Sequence, residues 1–169
     1  MRRVFDNPDG PFMFNRLLNR VEDALAAVAA LLLLLAVAMV TTDVVSRFLF
    51  NKPLAWVFEV TEYFLLFVPC LGMAWLARND GHVKIDIITG QLSPTANAAL
   101  ARLVNLVVSL VCFFIAWWGA IATSESWRGK VQIEGILQTP QYLVYGVIPL
   151  GFLMCGIEFA RKALASGVR

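Results

Sequence analysis

The sequence predicts an all-α integral membrane protein with four transmembrane helices. Hydrophobic residues make up 59% of its 169 residues and charged residues only 15%, whereas soluble domains usually have about 45–50% and about 25%. Four apolar stretches each reach about 20 residues, the length that a helix needs to cross the hydrocarbon core of a bilayer. Little chain remains once they are placed, so we expect a single four-helix transmembrane domain.

The first span is expected at residues 24–46, where an uncharged run contains five consecutive leucines, Leu31–Leu35. This run is longer than the apolar core of a signal peptide, which favours an uncleaved transmembrane helix. In the preceding residues 11–23, Phe14, Leu17, Leu18 and Val21 recur at helical spacing among polar residues. That segment is predicted to be an amphipathic helix that lies along the membrane surface and leads into the first span.

The other three spans are expected at residues 55–77, 101–125 and 137–160. Ser93-Pro94 is a helix-start signal, so the third helix should begin well before its span and lay its first turns along the interface. Thr139-Pro140 gives the same signal for the fourth helix. Pro69 and Pro149 would then fall inside the second and fourth helices, and we expect each to kink its helix because proline removes a hydrogen bond.

The distribution of lysine and arginine predicts the orientation. With four spans, both termini and the middle loop share one side of the membrane, and that side collects ten of the fourteen basic residues. Cytoplasmic segments are enriched in lysine and arginine. We therefore expect both termini in the cytoplasm, with the first and third loops on the outside, which in a Gram-negative bacterium is the periplasm.

Charged residues near the first loop need an explanation, because a charge in hydrocarbon costs several kcal/mol. Asp43 and Arg47 share one helix face near the end of the first span, and Glu59 and Glu62 open the second span beside Trp56. Folding the two helices back on each other brings the four charged groups to one layer, where Arg47 is expected to pair with a glutamate of the other helix. A structural or subunit-docking cluster is the favoured interpretation, and a proton or cation relay is the alternative.

No metal or catalytic site is predicted. The three cysteines lie far apart within apolar runs, the single histidine, His82, has no supporting ligands nearby, and no nucleophile is paired with a base. We therefore expect a protein that is not an enzyme, binds no cofactor of its own and has no nucleic-acid partner.

Short motifs recur in order along almost the whole chain. They comprise an arginine after the first span, a tryptophan and a glutamate that open the second, a His-Val pair beyond its far end, and Pro and Gly positions in the last span. The residues are Arg47, Pro53, Trp56, Glu59, Glu62, Tyr63, Gly72, His82, Val83, Asp86, Pro140, Pro149 and Gly151. This order resembles the small membrane subunit, of DctQ type, of tripartite ATP-independent periplasmic (TRAP) transporters.

The resemblance implies a non-catalytic subunit of a sodium-driven importer of an organic anion, such as a dicarboxylate or a sialic acid. Its implied partners are a large multi-span membrane subunit, which carries the sodium coupling, a periplasmic substrate-binding protein, and membrane lipids. The small subunit would extend a static scaffold and help to dock the binding protein. Two alternatives remain open at this point: a four-helix membrane redox subunit, and a small exporter that acts as a dimer.

Overall fold

Five helices make up nearly all of the chain that the computed structural model describes, residues 12–79 and 94–165. They are α1 (Phe12–Phe50), α2 (Ala55–Arg78), α3 (Pro94–Gly129), α4 (Gln141–Tyr145) and α5 (Val147–Ala165). Four segments are long and apolar enough to span a membrane: Arg16–Phe50, Ala55–Arg78, Ala99–Arg128 and Gln141–Leu164. The predicted class, an all-α protein with four membrane-spanning helices, is confirmed.

The predicted interfacial segments are continuous with the spanning helices in the described chain. Residues 12–23 form the first turns of α1, which continues without a break for 39 residues, since neither glycine nor proline interrupts it. Likewise, α3 runs unbroken for 36 residues from Pro94. At 1.5 Å per residue, both helices are longer than 50 Å. Each therefore exceeds the thickness of the hydrocarbon core, about 30 Å, by more than about 20 Å.

The last span is interrupted near Pro149. Gly146 separates α4 from α5, and Pro149 is the third residue of α5. Gly146 keeps helical backbone angles, φ −62° and ψ −21°, and its N–H donates to the Tyr142 carbonyl, so α4 and α5 together form one interrupted span, Gln141–Leu164. Because proline cannot donate a hydrogen bond to the carbonyl four residues earlier, an interruption at this point agrees with the kink that the sequence predicts. Pro69 lies inside α2.

The helices are arranged in an open row rather than in a closed bundle. Within the described chain, α1 packs mainly against α2, α2 against α5, and α5 against α3, with the short α4 beside α3 and α5. The order across the row is therefore α1, α2, α5, α3. Lipid provides no hydrophobic force that would close such a row into a ring, so each helix pair depends on local fit.

Small residues supply this local fit. Most of the buried apolar residues are alanine or cysteine, whereas many leucines, valines and phenylalanines are exposed. Gly151 of α5 sits against the backbone of Cys70 in α2, where an added Cβ would lie 2.8 Å from the Cys70 carbonyl carbon. Between α3 and α5, the Ser109 hydroxyl donates a hydrogen bond to the Gly156 carbonyl at 2.9 Å. Such close backbone approach is typical of helices packed within membranes.

Candidate functional site

Polar side chains concentrate at the two ends of the helix row. One end, the hairpin end, contains the turn 51–54 between α1 and α2 and the segment 130–140 between α3 and α4. The opposite end, the charged end, contains Glu22 of α1, Arg78 of α2, and Glu158 and Arg161 of α5. These two ends are the candidate functional regions of the chain.

At the hairpin end, Asp43 closes the turn between α1 and α2. Its buried carboxylate accepts a hydrogen bond from the Leu54 backbone N–H at 2.7 Å and another from Arg47 Nη2 at 2.9 Å. The Ser46 hydroxyl donates to the Lys52 carbonyl at 2.9 Å. Asn51 has a positive φ of 52°, a conformation that asparagine tolerates better than most residues. Asp43 therefore orders the turn and compensates the charge of Arg47.

Arg47 does not form the predicted pair with a glutamate of α2. Its ion pair is with Asp43, four residues earlier on the same helix, because residues at this spacing lie one above the other on a helix face. The guanidinium lies 5.7 Å from the centre of the Phe58 ring and remains half-exposed. The arginine is thus satisfied within α1, and Glu59 and Glu62 are left for other contacts.

Glu59 holds the segment 130–140 against α2. Its two carboxylate oxygens accept hydrogen bonds from consecutive backbone N–H groups, Ile136 N–H and, at 2.9 Å, Leu137 N–H. Gly135 makes room for this contact, since an added Cβ there would lie 2.8 Å from the carboxylate carbon of Glu59. Hydrogen bonds from backbone N–H groups to a carboxylate are charge-assisted and stronger than neutral ones. Glu59 is therefore an anchor for this segment rather than a partner of Arg47.

The anchored segment 130–140 is internally ordered. Ile133 N–H donates to the Thr139 carbonyl and Gln141 N–H to the Val131 carbonyl, both at 3.0 Å. Lys130 and Gln138 adopt positive φ angles of 48° and 46°, which reverse the chain direction. Next to the segment, the Trp127 and Tyr142 rings meet edge to face with their centres 4.5 Å apart. The segment thus presents a fixed surface on which Ile136 and Leu137 are exposed.

Replacing Glu59 with glutamine is expected to release segment 130–140 without unfolding the helices. In glutamine, an NH₂ donor replaces one of the two carboxylate oxygens. The side chain therefore loses the separate acceptor that one of the two N–H groups, Ile136 or Leu137, uses in the wild type. Hydrogen exchange measured by mass spectrometry should then become faster in this segment and stay unchanged in α5. A matched control is Glu134→Gln, since Glu134 lies in the same segment and is exposed. Equal exchange in the two variants would contradict the anchoring role.

Glu62 occupies a different environment from Glu59. It is exposed on α2, and within the described chain it forms no hydrogen bond or ion pair. The predicted cluster of Asp43, Arg47, Glu59 and Glu62 is therefore divided: Asp43 and Arg47 serve the turn, Glu59 serves segment 130–140, and Glu62 has no partner among the described residues. Trp56, which was grouped with them, lies in the first turn of α2 and is partly exposed.

The remaining motif residues occupy varied positions. Pro53 lies in the turn 51–54, Tyr63 is half-buried on α2, and Pro140 precedes α4 and forms a bridge with Gln132. Gly151 is buried against α2, whereas a Cβ built on Gly72 would have no described atom within 4 Å. His82, Val83 and Asp86 lie outside the described residues.

The charged end links three helices and was not predicted from the sequence. Glu22 of α1 is fully buried, and Arg78 Nη1 of α2 lies 3.1 Å from its carboxylate. Arg78 also contacts the Asp23 carboxylate and donates to the Asn19 carbonyl at 2.9 Å. These contacts connect α1 to the last turn of α2.

Helix α5 joins the same cluster. Arg161 donates to Glu158 at 2.7 Å and to the Asn19 side chain of α1 at 3.3 Å, and Lys162 donates to the Ala77 carbonyl of α2. The three acids Glu22, Asp23 and Glu158 thus face three bases, Arg78, Arg161 and Lys162. Charges removed from water need such compensation; here Glu22 and Asp23 of α1 are compensated from α2, and Glu158 is compensated within α5.

One sequence signal indicates part of the charged end. Glu158 and Arg161 stand three residues apart on α5, a spacing that favours an ion pair on one helix face. The contacts of Arg78 with Asn19 and Asp23, by contrast, join residues 59 and 55 positions apart. Neither has a local signature. Within residues 12–79 and 94–165, no three potential metal ligands are grouped together, and the polar groups are arranged to hold helices to one another.

Comparison with known proteins indicates what this architecture serves. Residues 36–168 match the family model for the DctQ component of tripartite ATP-independent periplasmic transporters. Over 88% of its length the chain is 26% identical to the ectoine TRAP transporter small permease protein TeaB of Halomonas elongata, of which 78% is covered.

Two further relatives have similar descriptions. A putative TRAP transporter small permease protein of Haemophilus influenzae is 23% identical over 88% of the chain and 91% of the relative. The C4-dicarboxylate TRAP transporter small permease protein DctQ of Vibrio cholerae is 20% identical over 72% of the chain and 61% of the relative.

Proposed function

The chain belongs to the DctQ component family of tripartite ATP-independent periplasmic transporters, and on that premise we propose that it is the static scaffold subunit of a sodium-driven importer. Proteins of this family are small permease subunits, which are components of transporters and not enzymes. The chain is accordingly a multi-pass membrane protein with a transport role. The family assignment removes the ground for the redox-subunit and self-sufficient-exporter alternatives.

The position of the polar groups carries the scaffold proposal. Substrate and ion sites of secondary transporters typically lie near the membrane midplane, between broken helices. In the described chain the charge clusters lie at the hairpin end and the charged end, and α1, α2 and α3 are continuous. The one break in the described helices, at Gly146, is six residues beyond the end of segment 130–140. This distribution favours a subunit whose helices are fixed relative to each other.

The partners of the chain follow from its family. A TRAP small permease acts with a large membrane subunit and a periplasmic substrate-binding protein. We assign the sodium coupling to the large subunit, and no cofactor to this chain. The exposed apolar side chains of α1 and α3 suit contact with lipid or with another membrane protein.

The substrate is assigned by class only. We propose an organic anion of carboxylate type, as in the C4-dicarboxylate transporter from which one relative takes its name. Another relative is named for ectoine transport, so chains of this family serve transporters of different substrates. A scaffold that makes no differential contact with the substrate cannot set substrate preference. We therefore expect preference to reside in the other two components.

We place the charged end in the cytoplasm and the hairpin end in the periplasm. This orientation agrees with the excess of lysine and arginine on the side of the charged end, because cytoplasmic segments are enriched in these residues. The ordered segment 130–140 then faces the periplasm, where it is suited to help dock the substrate-binding protein. Its fixed backbone and its exposed Ile136 and Leu137 support this role.

Cysteine labelling tests the orientation. With the three native cysteines replaced, a single cysteine at Lys52 or Glu134 should react with an impermeant maleimide added to intact spheroplasts, whereas one at Lys84 should react only after the membrane is permeabilised. The reverse pattern, with Lys84→Cys labelled from outside, would contradict the orientation while leaving the helix arrangement intact.

Reconstitution tests the function. Proteoliposomes with the large subunit and the binding protein should take up substrate under a sodium gradient only when this chain is included. In Glu59→Gln, the rate of uptake is expected to fall while the ranking of competing substrates stays as in the wild type. An assembled Glu59→Gln complex with a changed substrate ranking or sodium dependence would overturn the scaffold role.

A further inference from the structure

One face of α2 is left uncovered by the rest of the described chain. Residues spaced by four, three, four, three and four positions form a single stripe along this helix. Most of their side chains are exposed, and we name this surface the open face of α2: Phe58, Glu62, Leu65, Pro69, Gly72 and Leu76. Val57 and Ala74, which lie off this stripe, are buried.

The open face carries a charge that lipid does not accommodate. Glu62 is the eighth residue of a membrane-spanning helix, about 10 Å along its axis, and has no partner within the described residues. An ionised side chain directed toward hydrocarbon costs several kcal/mol and normally meets another protein group or water. The charge therefore indicates a partner that offers a positive group or hydrogen-bond donors at this depth.

Two backbone features point to the same face. A Cβ built on Gly72 would have no atom of the described residues within 4 Å, unlike one on Gly151, which fits against another helix. Pro69 cannot donate a hydrogen bond to the carbonyl of Leu65, and Leu65 is itself 72% exposed. Small residues and freed carbonyl groups at a membrane-helix surface favour close approach of a second helix.

The neighbouring part of α1 extends this surface at the hairpin end. A groove of 540 Å³ between α1 and α2 is lined by Val40, Asp43, Val44, Arg47, Phe48 and Phe58. Phe58 belongs to both surfaces, and the half-exposed Arg47 lies beside its ring. The surface thus presents a negative group and a positive group among apolar ones, a combination that suits a protein partner with complementary charges better than lipid tails.

We propose that the open face of α2 is the surface on which the large membrane subunit docks, with a transmembrane helix of that subunit packed at Gly72 and a basic or N–H group of it meeting Glu62. The inference rests on the proposed function, and it specifies which surface of the helix row contacts the large subunit. The flanks of α2 are occupied by α1 and α5, so docking there would require the row to open.

Substitution at Gly72 gives the sharpest test, because no atom of the described residues lies within 4 Å of a Cβ at this position. Gly72→Leu should leave the amount of the small subunit in the membrane unchanged. When the tagged chain is purified from cells that also produce the large subunit, the amount of large subunit recovered should fall about tenfold or more, as expected when bulk is forced into a close helix contact. Glu62→Gln should lower recovery as well, whereas Glu134→Gln, a matched exposed glutamate, should not.

Photo-crosslinking identifies the occupant directly. With p-benzoylphenylalanine in place of Leu65 in the intact complex, we expect an adduct with the large subunit. Adducts with lipid only, or with a second copy of this chain, would overturn the inference, as would wild-type recovery of the large subunit with Gly72→Leu. If the wild-type chain itself fails to recover the large subunit, the proposed function fails instead, so the two results are distinguishable.

Discussion

Replacing Arg78 with leucine is expected to destabilise the folded chain by about 3–5 kcal/mol, the usual effect of removing one partner of a buried ion pair. Leucine preserves much of the apolar volume but leaves the fully buried Glu22 without its nearest positive group. It also removes the hydrogen bond to the Asn19 carbonyl that joins α2 to α1. The free energy of unfolding can be measured by titrating the chain from mild into denaturing mixed micelles.

A second substitution separates the charge effect from other effects of the change. In Arg78→Leu/Glu22→Leu the uncompensated carboxylate is gone, so most of the lost stability should return, because apolar pairs of similar volume often replace buried ion pairs without loss. Arg128→Leu serves as the control, since Arg128 is exposed and unpaired within the described chain. A double variant less stable than Arg78→Leu alone would contradict this account of the charged end.

Replacing Gly151 with alanine is expected to separate α5 from α2. The added Cβ would lie 2.8 Å from the Cys70 carbonyl carbon and closer still to its oxygen. Because the obstacle is backbone and not the flexible end of a side chain, the helices must move apart. The cost should be about 3 kcal/mol, at the upper end of what overpacking usually costs, and the same micelle titration measures it.

Gly72→Ala is the matched control for this prediction. Both glycines lie on membrane-spanning helices, but no atom of residues 12–79 and 94–165 lies within 4 Å of a Cβ at Gly72. Alanine is also the better helix former, by up to about 1 kcal/mol. Gly72→Ala should therefore be as stable as the wild type or slightly more stable. Equal destabilisation by the two substitutions would show that close packing at Gly151 does not hold α2 and α5 together.

The helices themselves were predictable because their signals are local. Uncharged runs of about 20 residues indicate spans on their own. Residues within a few positions also mark the turn 51–54 and the helix starts at Pro94 and after Pro140. The interruption at Gly146 lies three residues before Pro149, the proline from which the sequence predicts a kink in this span.

The polar contacts were only partly predictable. The Asp43–Arg47 pair lies within one helix, but the expectation favoured a partner across the hairpin over the residue one turn away. Glu59 pairs with backbone N–H groups of residues 136 and 137, and any residue other than proline supplies such groups, so no sequence signal marks them. Gly135 was the one available hint, since a carboxylate approaching the backbone this closely requires the absence of a side chain.

The order of the helices across the row was beyond sequence reasoning for a related reason. It depends on which small residues meet, such as Gly151 with Cys70 and Gly156 with Ser109. Glycine, alanine and cysteine occur on several faces of these helices. Their pairing is set by three-dimensional fit, which the spacing of small residues within each helix does not determine.

The distance between the two edges of the row tests most directly whether this chain is a static scaffold. Leu34 of α1 and Phe114 of α3 are both exposed. Spin labels at these two positions report that distance by pulsed electron–electron double resonance in the assembled, reconstituted transporter. We predict the same distance distribution with and without sodium and substrate-loaded binding protein, while a label pair between α3 and a moving part of the large subunit shifts. A change in the Leu34–Phe114 distance that follows sodium and substrate would contradict the scaffold account.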